Sequence, residues 1–244
     1  MKDSIFRIIE NVPLTQNVFK MRLEGDTSEI KNSGEFINIK LDGLYLRRPI
    51  SVCDADSTTV TIIYKVVGKG TQQMSEMSIG EELLVLTGLG NGYDTAVSGE
   101  KPLLLGGGVG VPPLYMLAKQ LVEQGKSVSV VLGFNSKSEV FYEDEFKALG
   151  CSVRVTTADG SYGTKGFVTD AMADNYTYFY TCGPEPMLKA VYKATKTSGQ
   201  LSFEERMGCG FGACMGCSCK TIAGYKRICK DGPVMLKEEI LWED

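Results

Sequence analysis

Residues 102–113 read Pro-Leu-Leu-Leu-Gly-Gly-Gly-Val-Gly-Val-Pro-Pro, and this stretch decides the fold of the middle of the chain. An apolar strand is followed by a glycine-rich turn that opens a helix. A plain strand-to-helix turn needs only one glycine, whereas several glycines let the backbone approach a phosphate at a helix N-terminus. The turn departs from the dinucleotide pattern G-x-G-x-x-G, because residue 111 is valine. We nevertheless predict that it contacts a nucleotide through Gly107, Gly108 and Gly110.

The sequence around this turn alternates between predicted strands and predicted helices. Strands are expected at 102–106, 128–134, 151–156 and 176–181, and helices at 111–124, 139–149 and 185–196. Such alternation is typical of a doubly wound parallel sheet, here predicted for residues 99–198. The last strand leads into Cys182-Gly183-Pro184. Ligands bind beyond the carboxyl ends of parallel strands, so both turns are predicted to face one crevice.

Residues 1–98 have a different character, with short β-rich runs such as 36–41 and 60–67 between Gly, Asn and Asp residues. This pattern favours an antiparallel barrel or sandwich. The planar fork of the arginine in Arg48-Pro49-Ile50-Ser51 can pair with a pyrophosphate, and the serine hydroxyl can bond the edge of a flavin ring. Further on, Gly70-Thr71 opens a short predicted helix, whose N-terminus suits the same pyrophosphate.

The C-terminal part, residues 199–244, is dense in cysteine and glycine. It is too short to form a conventional apolar core, so we expect a bound metal to stabilise it. Five of the eight cysteines lie between positions 209 and 229. Four of them, Cys209, Cys214, Cys217 and Cys229, have x4, x2 and x11 spacings, and the first three match the loop that wraps a [2Fe–2S] cluster. A four-thiolate zinc site is the alternative, although it usually uses two C-x2–4-C pairs. Cys219 is interpreted as a bystander.

The overall composition excludes several classes of function. A formal net charge of −4 argues against nucleic-acid binding. The absence of histidine excludes a Ser-His-Asp triad, so no catalytic side chain is predicted and the chemistry is expected to lie on cofactors. Neither a secretory signal nor an apolar run of membrane-spanning length is evident, which predicts a cytoplasmic protein without a membrane span. In the cytosol, eight cysteines indicate metal or redox chemistry.

Together these motifs resemble the ferredoxin-NAD(P) reductase superfamily. Within it, the order R-R-P-I-S, G-G-G-x-G-V-P-P-L, C-G-P-x-P-M, C-x4-C-x2-C and D-G-P-V is similar to the electron-transfer subunits of NAD-dependent dihydroorotate dehydrogenases. The resemblance implies an FAD-binding β-barrel over 1–98, an NAD-binding α/β domain over 99–198 and a [2Fe–2S] domain over 199–244. It implies a cluster held by the four cysteines named above and places Cys182 near the nicotinamide. It also implies that FAD is held by Arg48, Pro49, Ile50, Ser51, Ile63, Tyr64, Lys65, Gly70 and Thr71.

The resemblance further implies a relay in pyrimidine biosynthesis. Dihydroorotate is expected to be oxidised at the FMN of a separate catalytic subunit, and electrons pass through the cluster and FAD to NAD. Two copies of each subunit are expected to form a heterotetramer. NAD is preferred over NADP because residues 135–139, after the second strand of the sheet, contain no arginine pair for a 2′-phosphate.

Two alternatives remain open from the sequence. The first is a flavin and iron–sulfur reductase subunit, dependent on NADH or NADPH, of another redox complex: a hydrogenase, a sulfur reductase or an oxygenase. The second is a zinc-stapled binding protein on a reductase-like fold, which would be colourless.

Overall fold

The structure is a computed structural model of the chain and describes residues 1–242. The first part is a closed antiparallel barrel of six strands in the order β1-β2-β5-β4-β3-β6. The strands are β1 (Lys2–Pro13), β2 (Val18–Glu24), β3 (Phe36–Ile39), β4 (Arg48–Ala55), β5 (Thr59–Lys65) and β6 (Glu82–Leu89), with helix α1 (Lys69–Glu76) between the last two.

The barrel follows the period-2 rule of β-structure, in which successive side chains point to opposite faces. Along β3, Ile37 and Ile39 are fully buried in the barrel core, whereas Phe36 belongs to a different apolar cluster outside it. Strand β3 therefore has an inner face that supports the barrel and an outer face that contacts the rest of the molecule.

The second part is a seven-stranded sheet with helices on both faces. In chain order the elements are β7 (Pro102–Gly107), α2 (Pro113–Glu123), β8 (Ser129–Phe134), α3 (Glu143–Ala148), β9 (Ser152–Thr157), β10 (Thr164–Lys165), β11 (Tyr178–Cys182), α4 (Glu185–Ala194), β12 (Gly199–Ser202), β13 (Ser218–Thr221), β14 (Gly224–Arg227), α5 (Ile228–Asp231) and β15 (Val234–Leu236). The sheet order is β10-β9-β8-β7-β11-β12-β15, and β13 and β14 form a separate hairpin.

All neighbouring strands of this sheet are parallel except β12 and β15. Leu114 and Phe146, from α2 and α3, pack in one apolar cluster, and Leu188 of α4 packs in the other. Alternate residues of the central strands contribute to the two clusters, so the helices cover opposite faces. The predicted architecture, a barrel, a doubly wound parallel sheet and a small cysteine-rich C-terminal part, is confirmed.

The C-terminal part contributes two strands to this sheet. Strand β12 extends the sheet in parallel from β11, and β15 returns from the cysteine-rich segment to pair with β12. The predicted divisions of the chain after residues 98 and 198 stay predictions. The first lies in the loop between β6 and β7, and the second precedes β12.

The barrel packs on the sheet mainly through β4 and α2. The Lys119 ammonium on α2 lies 3.2 Å from the Asp54 carboxylate on β4. Next to Asp54, the fully buried Cys53 thiol shares a hydrogen bond with the Tyr142 hydroxyl. Strand β4 begins with the Arg48-Pro49-Ile50-Ser51 motif, so this packing fixes the motif relative to the sheet. Within residues 1–242, no helix combines the length and the apolar character that crossing a membrane requires.

Candidate functional site

The two neighbouring arginines at the start of β4 have different surroundings. The Arg47 guanidinium makes two bonds to the Asp3 carboxylate, at 2.6 and 3.1 Å. The Arg48 guanidinium donates only to the backbone carbonyl oxygens of Leu46 and Arg47, at 2.5 and 3.3 Å. Among residues 1–242 it has no carboxylate partner, so its charge is available to an anion.

Gly70 brings the first turn of α1 against this free guanidinium. A Cβ atom built on Gly70 would collide with Arg48 Nε, so only glycine permits the approach. The Thr71 hydroxyl accepts hydrogen bonds from the N–H groups of Val67 and Gly68, at 2.9 and 3.3 Å, and so shapes the turn before the helix. A cation, a glycine and a helix start thus form a cradle that fits a pyrophosphate.

The other predicted flavin residues lie on two faces of the barrel wall. Pro49, Ile50 and Ser51 are partly exposed on β4, and the Ser51 hydroxyl has no hydrogen-bond partner among the described residues. Tyr64 is buried in the barrel core and donates its hydroxyl to Asn11 Oδ1 at 3.0 Å. Ile63 packs instead with the cluster that includes α2. The Tyr64 side chain is therefore structural, and any contact that it makes with FAD would come from its backbone.

Lys65 lies in a cleft between the barrel and the sheet. The barrel contributes Asn17 and Lys65, and the sheet contributes Gly108, Phe134 and Glu139. The Glu139 carboxylate lining this cleft accepts a hydrogen bond from Asn135 Nδ2 at 2.8 Å. The cleft lies beyond the carboxyl ends of β7 and β8, where ligands of doubly wound sheets bind.

The glycines of residues 102–113 contribute in two ways: two of them allow close packing, and one faces the cleft. A Cβ atom on Gly110 would collide with the carbonyl of Cys182, and one on Gly107 would collide with the sulfur of Met187. These two glycines let the two predicted turns pack together. Gly108 has φ +52° and no atom within 4 Å of its Cβ position, so it is the glycine that faces the open cleft.

The predicted nicotinamide-side loop is Cys182-Gly183-Pro184, between β11 and α4. A Cβ atom on Gly183 would lie 2.8 Å from the sulfur of Met187 and 3.2 Å from the backbone nitrogen of Gly107, so this loop is also closely packed. Burial raises the pKa of the Cys182 thiol to about 12, and a hydrogen bond with Ser202 acts in the opposite direction. The loop thus offers a neutral thiol next to the glycine turn.

The four cysteines that the spacing selected fall into two pairs. The Cys209 sulfur accepts hydrogen bonds from the N–H group of Cys214 at 3.4 Å and shares one with its thiol. The Cys217 and Cys229 sulfurs lie 3.3 Å apart. Within residues 1–242, no three Cys, Asp or Glu side chains converge on one ion. Two pairs of thiolates suit a centre with two irons, each of which takes two protein ligands.

The electrostatics of the loop favour a thiolate at Cys209. Burial alone would raise the pKa of this thiol, but N–H groups of residues 211, 213 and 214 outweigh burial and lower its pKa to about 6. For Cys229, burial and the neighbouring Cys217 raise the pKa to about 12. Thiols packed this closely suppress one another's ionisation, and bound cations would relieve the repulsion.

The loop geometry depends on residues with left-handed backbones, namely Gly210, Gly212 and Met215. The Arg227 guanidinium donates to the Gly212 carbonyl at 3.0 Å and pairs with Asp231, which fixes the loop to α5. Cys219 lies 3.8 Å from the sulfur of Met235 and packs against the apolar cluster that contains Cys217 and Cys229. The residues present therefore fit a [2Fe–2S] cluster, with Cys219 placed as packing.

Sequence reasoning did not single out the outer face of β3. Asn38 is 2% exposed and donates through Nδ2 to the Cys209 carbonyl oxygen at 3.4 Å. Phe36 packs in the apolar cluster that contains Cys217 and Cys229. The sequence feature that could have pointed to this face is the strand Phe36-Ile37-Asn38-Ile39. In that strand the polar Asn38 lies on the same face as the aromatic Phe36.

Comparisons with known proteins agree with this geometry. A family model described as the iron-sulfur cluster binding domain of dihydroorotate dehydrogenase B matches residues 204–241. A second, described as an oxidoreductase NAD-binding domain, matches residues 104–193. A Fusobacterium nucleatum protein named dihydroorotate dehydrogenase B (NAD(+)), electron transfer subunit, is 46% identical, covering 98% of this chain and 99% of the relative. A Bacillus pumilus protein of the same name is 43% identical, with 98% of each chain covered.

Solved structures extend the comparison. The structure of an NADH-dependent reduced ferredoxin-NADP oxidoreductase matches with a TM-score of 0.88 at 32% identity, covering 97% of this chain and 90% of the other. A Neisseria gonorrhoeae ferredoxin NADP+ reductase with bound FAD and NADP matches with a TM-score of 0.69 at 15% identity, covering 80% and 90%, which shows the shared fold alone.

Fold and site together define an oxidoreductase subunit of the ferredoxin reductase type, whose cofactors are FAD, a [2Fe–2S] cluster and NAD. More narrowly, the chain belongs to the family of dihydroorotate dehydrogenase B (NAD(+)) electron transfer subunits.

Proposed function

We propose that this chain passes electrons from the FMN of a dihydroorotate dehydrogenase catalytic subunit, by way of its [2Fe–2S] cluster and FAD, to NAD+ in pyrimidine biosynthesis. The observation that carries the proposal is the placement of the two cysteine pairs. The Cys209 backbone bonds to Asn38 on the outer face of β3, and Cys217 and Cys229 belong to the same apolar cluster as Phe36 of that strand. Strand β3 pairs with the Arg48–Ser51 motif of β4. One-electron and two-electron carriers would thus lie on neighbouring elements of one fold.

In this proposal the protein binds and orients cofactors. Arg48 and the turn at Gly70 would hold the FAD pyrophosphate, Ser51 would bond the flavin edge, and the cleft at Gly108 would admit NAD. FAD supplies the conversion between a hydride and single electrons. The chain has no histidine to act as a base towards dihydroorotate, in keeping with substrate oxidation on a partner.

The partner is an FMN-containing catalytic subunit, and the assembly is a heterotetramer with two copies of each chain. A cytoplasmic location is proposed because none of the eight cysteines, all within the described residues, forms a disulfide, as expected in a reducing compartment.

Co-expression with the catalytic subunit tests the proposal. We expect co-purification as a yellow-brown complex with FMN, FAD, iron and labile sulfide, and dihydroorotate-dependent reduction of NAD+. Omitting this chain should leave dihydroorotate oxidation with artificial acceptors but abolish NAD+ reduction. Stoichiometric zinc without iron, or NAD+ reduction that is independent of this chain, would overturn the assignment.

A second candidate function is supported by the 32% identity, over nearly the whole chain, to the NADH-dependent reduced ferredoxin-NADP oxidoreductase structure. In that case the partner would be a different flavoprotein, and dihydroorotate would not reduce the complex. Purification from the native host, followed by dihydroorotate addition, separates the two candidates.

A further inference from the structure

Asn38 occupies an unusual position between the proposed flavin site and the cysteine loop. It lies in the middle of β3, opposite Pro49 on one side and Leu86 on the other. Its side chain is almost fully buried, and Nδ2 bonds to the Cys209 carbonyl oxygen across a separation of 171 residues. This is a direct polar contact between the barrel wall and the first ligand segment.

The contact is made by close approach. Gly210, which follows Cys209, has φ +80°, and a Cβ atom built there would collide with the Asn38 amide nitrogen. The strand beneath is held in place, since the Arg47 guanidinium reaches the Asn38 carbonyl oxygen at 3.5 Å while paired with Asp3. The loop backbone therefore rests on a fixed side chain.

The same face of the barrel carries the flavin motif. In an antiparallel pair, residues directly opposite each other project to the same face. Asn38 is opposite Pro49, and Phe36 is opposite Ser51. Phe36 also belongs to the apolar cluster that contains Cys217 and Cys229, so the cysteine-rich part packs on the face of β3 that Pro49 and Ser51 share.

The other end of the amide is unusual as well. Asn38 Oδ1 is buried and has no hydrogen-bond partner among residues 1–242. Buried side-chain amides are normally bonded, and here the bond that the described residues provide is made by the donor end, to the Cys209 carbonyl oxygen.

We propose that Asn38 is a positioning residue that fixes the iron–sulfur loop at a set separation from the flavin. Its Nδ2 group holds the Cys209 peptide, and the missing Cβ of Gly210 allows the contact. The inference rests on the proposed function only in requiring that both cofactors are bound. It assigns no chemical step to Asn38 itself.

The test compares Asn38→Leu with Thr87→Val in the full-length, cofactor-loaded chain. Thr87 is a matched control because it is also buried in the barrel and donates to a backbone carbonyl, that of Lys2, at 3.2 Å. NADH reduction of the flavin is followed by anaerobic stopped-flow absorbance, and cluster reduction by freeze-quench EPR. Iron, sulfide and flavin contents are measured for each variant.

In Asn38→Leu we expect unchanged cofactor content and flavin reduction, cluster reduction slowed about tenfold, and a shifted EPR spectrum of the reduced cluster. Thr87→Val should match the wild type in all of these. In Gly210→Ala the added methyl group would displace the loop from Asn38, so this variant should also show slower cluster reduction. Wild-type cluster reduction and an unshifted spectrum in Asn38→Leu would overturn the proposal.

If Asn38→Leu fails to fold, Gly210→Ala decides, and wild-type cluster reduction in that variant would refute the inference. A wild-type chain without a cluster, or one whose cluster NADH cannot reduce, would instead refute the proposed function. The isolated subunit is sufficient, so neither dihydroorotate nor a partner enters the measurement.

Discussion

The sulfur atoms of Cys217 and Cys229 lie 3.3 Å apart although twelve positions separate the residues. The β13–β14 hairpin closes this interval, and the N–H group of Ile228 bonds back to the Cys217 carbonyl at 3.0 Å. The predicted fourth ligand, Cys229 on α5, thus lies directly against the predicted third. The hairpin explains how an x11 interval brings these two thiols together.

The assignment of Cys229 as the fourth ligand and of Cys219 as a bystander can be tested by substitution. Cys229→Ser is expected to abolish iron and labile sulfide binding, because Cys229 is paired with Cys217. Cys219→Ser should retain wild-type iron content, because its thiol contacts the sulfur of Met235 instead. Iron and sulfide assays with visible spectra provide the measurement. Loss of the cluster in Cys219→Ser together with retention in Cys229→Ser would reverse the ligand assignment.

Arg48 is expected to dominate FAD affinity over its neighbour. Arg48→Ala removes an unpaired cation from the pyrophosphate cradle and should cost about 2 kcal/mol, or roughly thirtyfold in Kd. Arg47→Ala is the control, because that side chain is already engaged by Asp3. Fluorescence titration of the flavin-free protein with FAD measures both. Equal losses in the two variants would show that the cradle is misassigned.

The glycine turn offers a comparison between packing and ligand access. Gly110→Ala should destabilise the protein by about 2 kcal/mol, because its methyl group collides with the Cys182 carbonyl. Gly108→Ala should cost about 1 kcal/mol, from its left-handed backbone alone. Thermal unfolding measures both changes. NADH affinity should fall in Gly108→Ala, where the methyl group points into the cleft, and unchanged affinity there would place the nucleotide elsewhere.

Glu139 is expected to set the preference for NADH over NADPH. Its carboxylate lines the cleft that contains Gly108, where it can accept a bond from a ribose hydroxyl and repel a 2′-phosphate. Glu139→Gln should raise kcat/KM for NADPH about tenfold and lower that for NADH. Glu123→Gln is the control, because Glu123 is the last residue of α2, at the far end of the helix from the glycine turn. Parallel changes for both nucleotides in Glu139→Gln would contradict this role.

The Cys182 thiol is expected to stay protonated under working conditions. Its folded pKa of about 12 lies above the ordinary value of 9.0, so burial favours the neutral form. Its contribution to stability is complete below that ordinary value and is lost as the pH rises through about 12. Alkylation by iodoacetamide, followed by mass spectrometry, should remain slow up to about pH 10. A midpoint near the ordinary value of 9.0 would contradict the burial.

Local features of the site could be predicted from the sequence. The four thiols were selected because the ligand spacing of an iron–sulfur loop is encoded in one short segment, and their role as ligands stays a prediction. The glycine turn marked the end of β7 directly. The helix predicted over 139–149 instead begins at Glu143, after a 3-10 turn over 137–139. Tyr142, with φ +66°, interrupts the helical backbone just before it.

Non-local contacts could not be predicted in the same way. Strands β12 and β15 have only four and three residues, and their place in the sheet depends on pairing across the whole cysteine-rich segment. Asn38 appeared as an isolated polar residue among isoleucines, a pattern that usually marks solvent exposure. Its partner, Cys209, lies in a distant part of the chain, and only the folded barrel brings them together.

The pairing of β15 with β12 has a consequence for how the subunit can be divided. A chain cut after residue 198 would lose both strands. The buried strand β11 would then be an edge strand with one side of its backbone unpaired. Unprotected borders of this kind recruit strands from other molecules, so such a fragment would self-associate. The cysteine-rich segment thus also protects the nucleotide-binding sheet from aggregation. Proteolytic removal of this segment would therefore be damaging even where no electrons are transferred.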